Sequence, residues 1–299
     1  FDELRNSGQI QVAIQVAVAL TTGAHGYEGA GSSSNEYVSS QLTLMGYGVL
    51  QHVAGNRWDE LSAGERDSMV GLCFSLLEGL CGGGAQQQQQ QSQSALMFAL
   101  RSKCAVLFAI VIKRHGAAYA SESIKRLIAD ETKYANVPHA KSSYQAIVSL
   151  VFKYLVDEVY QFAGDMGGTH ARDMLVCMAT WFPEILRFTV NALENNFKVY
   201  GEEQDAYGKK NAMFAVKTAL ESGALYGEVA PAGAMYASGF VKAAGYFLSM
   251  PDTTSVQYPQ DMADIKSSSC DILKYVGSRR KTSDENQEDF SRGMQEVGL

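Results

Sequence analysis

Leu50-Gln51-His52-Val53-Ala54-Gly55-Asn56-Arg57-Trp58-Asp59-Glu60-Leu61 closes one amphipathic helix, turns the chain and opens the next. Upstream, Leu42, Met45, Val49 and Val53 share one face at helical spacing, and Gly55-Asn56 are expected to end that helix in a left-handed turn. Downstream, Ser62 is placed to cap a second helix over about 63–80, with its stripe at Met69, Cys73, Leu76 and Leu80 and a stop at Cys81-Gly82-Gly83-Gly84. Two such helices around a tight turn make a helical hairpin, and Trp58 is read as the aromatic that plugs its core at the turn.

The pattern repeats outward from this hairpin. Before it, Ile10, Ile14, Ala17 and Val18 mark a helical face behind a candidate N-cap, Ser7, and a Gly/Ser-rich loop over about 22–34 follows. After it comes a Gly/Gln insertion over 82–95, containing the run Gln86 to Gln91, which is polar, of low complexity and unable to bury a face. The stripe Leu96, Leu100, Cys104, Leu107, Val111 then ends in Lys113-Arg114-His115-Gly116, a basic last turn and a glycine stop. Further helical segments are expected at 119–131, 143–163, 169–198, 208–227, 232–250 and 259–276, with Pro183 starting a new helix or kinking a long one. No segment alternates in the manner of a strand. The expected fold is all-α, a solenoid of HEAT-like antiparallel helix pairs, each about 40–47 residues.

Composition narrows the function. No apolar run is long enough to cross a membrane, so membrane insertion is not expected. The opening at Phe1, without a basic-then-apolar leader, is that expected of a fragment without a secretory signal. The five cysteines, Cys73, Cys81, Cys104, Cys177 and Cys270, have no paired spacing and read as small core residues of a reducing compartment. Neither they nor the histidines have zinc spacing, and no cofactor is implied. A net charge of −7 argues against strong nucleic-acid binding by this chain alone, the one basic cluster being Arg279-Arg280-Lys281. No Walker loop, Gly-x-Ser-x-Gly elbow or Glu-x-x-His pair is present, and Asp157 and Glu158 read as surface carboxylates at a helix end, so no catalytic residue is assigned.

The stretch Leu50 to Leu61, with Arg57, Trp58 and Asp59 at its centre, resembles a signature of the exportin-5 family of nuclear export receptors, called HASTY in plants. Further resemblances follow in order: Phe1 to Gly8, Lys103 to Gly116, Gln145 to Val159, Phe182 to Leu186, Gly245 to Asp252 and Ser278 to Asp284. The family's tryptophan after the basic pair is missing, with Tyr119 the nearest aromatic, and the polyglutamine run is foreign to it. The resemblance implies that 1–299 is the N-terminal HEAT array of a longer receptor, one that binds Ran in its GTP state, carries structured RNA such as pre-microRNA, meets nuclear pore proteins and shuttles between nucleus and cytoplasm. On that reading the exposed charges of the second helices of successive hairpins are the candidate Ran contacts: Arg66 and Glu78, then Lys125 and Arg126, then Arg187 and Glu194. RNA contact would lean on regions outside this chain. The alternatives are a HEAT or armadillo scaffold that binds proteins only, or a karyopherin for tRNA or protein cargo.

Overall fold

The structure is a computed structural model, and it describes residues 8–22, 33–81, 94–162, 166–203, 205–251 and 259–278. Among these the chain is helical, with no strand: α1 (Ile10–Thr21), α2 (Ser33–Asn56), α3 (Ala63–Cys81), α4 (Ser94–His115), α5 (Ala117–Ala129), α6 (Pro138–Tyr160), α7 (Gly168–Glu202), α8 (Ala206–Val229), α9 (Ala232–Ala237), α10 (Phe240–Ser249) and α11 (Pro259–Ser278). Short 3-10 turns lie at Trp58–Glu60 and Asp130–Tyr134. The expected Ser7 cap, most of the Gly/Ser loop, residues 82–93 of the Gly/Gln insertion, the Arg279-Arg280-Lys281 cluster and much of the first and last family-like segments lie outside the described residues.

The helices form an all-α solenoid in two rows. In one row α2, α4, α6, α8 and α11 lie side by side, each packed on the next. The other row covers it: α1 lies on α2, α3 on α4 and α6, α7 on α6 and α8, and α10 on α11, while α5 packs on α4 and α7. A continuous core runs between the rows, through Leu50, Leu77, Phe108, Phe152, Leu186, Leu220 and Ile272. Each such side chain contributes roughly 1.5–3 kcal/mol by leaving water.

This arrangement corrects the pairing read from the sequence. The hairpin of Leu50 to Leu61 is not one repeat: α2 closes one pair with α1, and α3 opens the next with α4. A short connection suggests that its two helices are partners, yet here the tight turn at residues 57–62 carries the chain between pairs, while the longer segments 22–32 and 82–93 connect the helices of a pair. Shared apolar faces, not loop length, decide the partners. Consequently Arg66, Glu78, Lys125, Arg126, Arg187 and Glu194 all sit in the covering row, on α3, α5 and α7, and not on second helices as expected.

Local signals are corrected too. α2 runs through Gly55-Asn56 with no left-handed residue there; positive φ among the described residues occurs only at Gly116 (105°) and Gly239 (89°). Gly239 divides the expected 232–250 helix into α9 and α10. Pro183 neither starts nor ends a helix, because α7 continues through it; Pro183 and Ala179, whose carbonyl the proline leaves without an N–H partner, both face solvent, where water can take that bond. Cys73, Cys81, Cys104 and Cys177 are buried as free thiols, whereas Cys270 is exposed on α11. Ser62 caps α3 as expected, in a reciprocal box: its backbone N–H donates to the Glu65 carboxylate at 2.8 Å, and the Glu65 N–H points back at Ser62 Oγ at 3.4 Å.

Candidate partner-binding surfaces

At the signature turn the local sequence builds a closed cluster. The capped start of α3 brings Arg66 beneath the 3-10 turn, where its Nε donates to the Trp58 carbonyl at 3.3 Å and its guanidinium lies 5.7 Å from the Trp58 ring centre. The buried Trp58 also meets the His115 ring edge-on at 5.8 Å, and His115 stacks on Tyr119 at 3.4 Å. His115 and Tyr119 both bind Asp67, and the Tyr119 hydroxyl, donating at 2.6 Å, is the larger cause holding that carboxyl below its ordinary range, His115 the smaller. Arg57 forms a two-pronged pair with Glu60 at 2.9 and 2.6 Å, while Asp59 is 99% exposed. Trp58 therefore serves the core, as read from the sequence, and of the three signature residues only Asp59 is available to a ligand.

The basic last turn of α4 is spent inside the molecule. Lys113, 1% exposed, donates to Glu158 and to the Phe162 carbonyl, both at 2.8 Å. Arg114 donates to the Gly55 carbonyl. Glu158 is thus the counter-ion of a buried lysine and not a surface carboxylate at a helix end; Asp157 beside it is partly buried, and burial, then Glu158, pushes its carboxyl upward.

The six candidate contact residues divide by what already holds them. Arg66 is tied to Trp58 and Asp59, Glu78 lies 3.4 Å from Lys133, and Arg126 reaches Asp130 at 3.4 Å while its guanidinium lies over the Phe74 ring at 3.7 Å. Lys125, Arg187 and Glu194 are exposed and have no ion-pair partner among the described residues. The structure brings the six to one row of helices, but into no common cluster.

Two grooves between neighbouring first helices were not anticipated. One, of about 240 Å³, lies between α1 and α3 and is lined by Ile14, Val18, Met69 and Leu72, with Gln11 bonded to Glu65 at 2.8 Å on its rim. The other, of about 340 Å³, lies between α7 and α10 and is lined by Leu193, Phe197, Ala243, Tyr246 and Phe247, with Glu194, Lys198 and Lys242 around it. Phe197 meets Phe247 edge-on at 5.0 Å, and Tyr246 stands 55% exposed beside them. Between these grooves α5 packs directly on α7, with the Trp181 indole donating to Ser121 at 2.9 Å, and Arg126 fills the space over Phe74. The available signal was the width of the apolar face of α1: Ile14 and Val18 lie at its edge, only partly buried, beside the buried Ile10, Ala13 and Ala17. No described helix is long and apolar enough to cross a membrane.

No protein-family model matches the chain. Over 261 residues, 86% of its length, the chain is 24% identical to Protein HASTY 1 of Arabidopsis thaliana, and the chain spans about a fifth (19%) of that relative. Together with a solenoid of helix pairs, this likeness supports a relationship, at family level, to the exportin-like karyopherins, transport receptors built of helical repeats.

Proposed function

We propose that the chain is the N-terminal array of a nuclear export receptor of the exportin-5/HASTY type, which binds Ran in its GTP state, carries structured RNA such as pre-microRNA and shuttles between nucleus and cytoplasm. The observation that carries this reading is the likeness to HASTY 1 across 86% of the chain. Lys125, Arg187 and Glu194 are the proposed Ran contacts, since their charges are not used internally, while Arg66, Glu78 and Arg126 already have partners within the chain. The net acidic chain is poorly suited to gripping a phosphate backbone, which leaves a protein partner as its first contact. RNA contact is assigned to regions outside this chain. The apolar grooves of α1/α3 and α7/α10 are the proposed docking points for nuclear pore proteins, because each is a concave, mostly apolar recess with a few polar groups on its rim.

The test is capture of the chain by Ran locked with GTP beside Ran loaded with GDP, in about 100 mM salt so that exposed charge contacts are neither exaggerated nor lost. Selective capture by the GTP form is expected. Lys125→Glu combined with Arg187→Glu is expected to weaken that capture several-fold, and more so at lower salt. Equal capture by both nucleotide forms, or none by a folded sample, refutes the reading and favours a general helical-repeat scaffold.

A further inference from the structure

Arg101 of α4 is 1% exposed and has no carboxylate partner among the described residues. Its Nη1 donates to Asn211 Oδ1 of α8 at 2.5 Å and its Nη2 to Ser143 Oγ of α6 at 2.7 Å, with the Tyr207 phenol close by, so no described group that meets it is a carboxylate. Its Nε is buried with no acceptor. The ring of Phe98 lies 5.7 Å from the guanidinium and stacks on Phe214 of α8 at 4.2 Å and 6°, closing the site from one side. The nearby carboxylates are engaged elsewhere: Glu203 faces His139 at 3.6 Å, and Asp205 caps α8 through the Gly208 N–H at 2.8 Å. Residues 82–93, which lead into α4, contain no Asp or Glu. Lys113, a second buried cation of the array, differs in having Glu158 at 2.8 Å.

An ion removed from water without a counter-ion opposes the arrangement that hides it. Arg101 stands where α4 reaches past α6 to touch α8, so the uncompensated charge sits at the seam of three successive second helices. We propose that this seam is a built-in joint of the solenoid: the row opens by parting Phe98 from Phe214, which hydrates the Arg101 guanidinium, and an anionic group that then pairs with it holds the open form. The closed form satisfies the guanidinium with neutral oxygens only. Opening exchanges those for water or an anion, so the seam parts more readily than the apolar contacts on either side of it. An anion that binds the open form alone shifts the population by its whole affinity for that form. The joint does not depend on which partner the receptor carries.

Two substitutions in the 299-residue chain remove the charge imbalance in opposite ways. Arg101→Met deletes the charge with similar bulk, and Asn211→Asp supplies a carboxylate where the Asn211 amide oxygen already accepts from Nη1. The readout is amide hydrogen exchange around Arg101 and Asn211, in the second turns of α4 and α8, where the N–H groups are bonded within the helix. Both variants are expected to slow it by about tenfold or more relative to the unaltered chain. Inorganic phosphate at fixed ionic strength is expected to speed it in the unaltered chain and not in Arg101→Met. Faster exchange in Arg101→Met would show the guanidinium to be a staple, and faster exchange in Asn211→Asp would show its charge to be already neutralised; either overturns the joint.

Discussion

Trp58 and Asp59 are adjacent and equally prominent in the signature, yet they stand at opposite ends of the energetic scale. Trp58 is buried between Arg66 and the His115 ring, whereas Asp59 is almost fully exposed and lies 3.8 Å from Arg66. Trp58→Ala is therefore expected to cost about 3–5 kcal/mol through lost burial and the cavity left behind, and Asp59→Ala no more than about 0.5 kcal/mol. Urea denaturation of the two variants measures the difference, and comparable midpoints would show that the turn is not anchored by its tryptophan. At this scale the sequence revealed Trp58 as a plug and Ser62 as a cap, because both act within a few residues of themselves. It could not reveal that Lys113 would meet Glu158 or Arg101 would meet Asn211, since those partners lie 45 and 110 residues away and the fold alone brings them together.

Between elements, an ionic cluster adds to the apolar packing of α8 on α11. Lys217 lies 2.6 Å from Asp261 and 2.7 Å from Asp264; burial alone would lower the lysine, but the two carboxylates outweigh it and raise the lysine above its ordinary 10.5. Asp264 is held below its ordinary 3.8, by Lys217 first and Gln260 second. A lysine raised on folding lends stability that is fully present below 10.5 and is lost as pH climbs through its higher folded value. A depressed carboxyl lends stability present above 3.8 that disappears as pH falls through its lower folded value. The gap in urea midpoint between the unaltered chain and Lys217→Met should thus be level from about pH 5 to 9, narrow in more alkaline solution, and narrow again in strong acid. A gap that changes across neutral pH would place the titrating group elsewhere. Helix positions were legible in the sequence because apolar residues at steps of three and four survive in every segment. Helix partnership was not: α2 and α3 each show a full apolar face, but periodicity does not say which neighbour that face meets, and the short turn between them pointed to the wrong one.

Over the whole molecule, stability is expected to be graded along the array rather than shared evenly. A solenoid element contacts only its neighbours, so its protection depends on how many neighbours it has. α6 is enclosed by α3, α4, α7 and α8 and buries residues from Ser142 through Val159, including the fully covered Ile147, Val151 and Phe152. α1 packs chiefly on α2, buries Ile10, Ala13 and Ala17, and leaves Val12 and Val16 exposed on the side turned away from the rest. Opening α1 therefore exposes little apolar surface, whereas opening α6 separates the second-helix row. Hydrogen exchange should follow this order, with the amides of 144–155 at least about 100-fold better protected than those of α1, the span between local and near-global opening. Equal protection in α1 and α6 would mean that the chain unfolds as one cooperative unit, and the quasi-one-dimensional description of the array would fail. A graded pattern means that a partner binding across the first helices stabilises the opening end most, because that end has the most protection to gain.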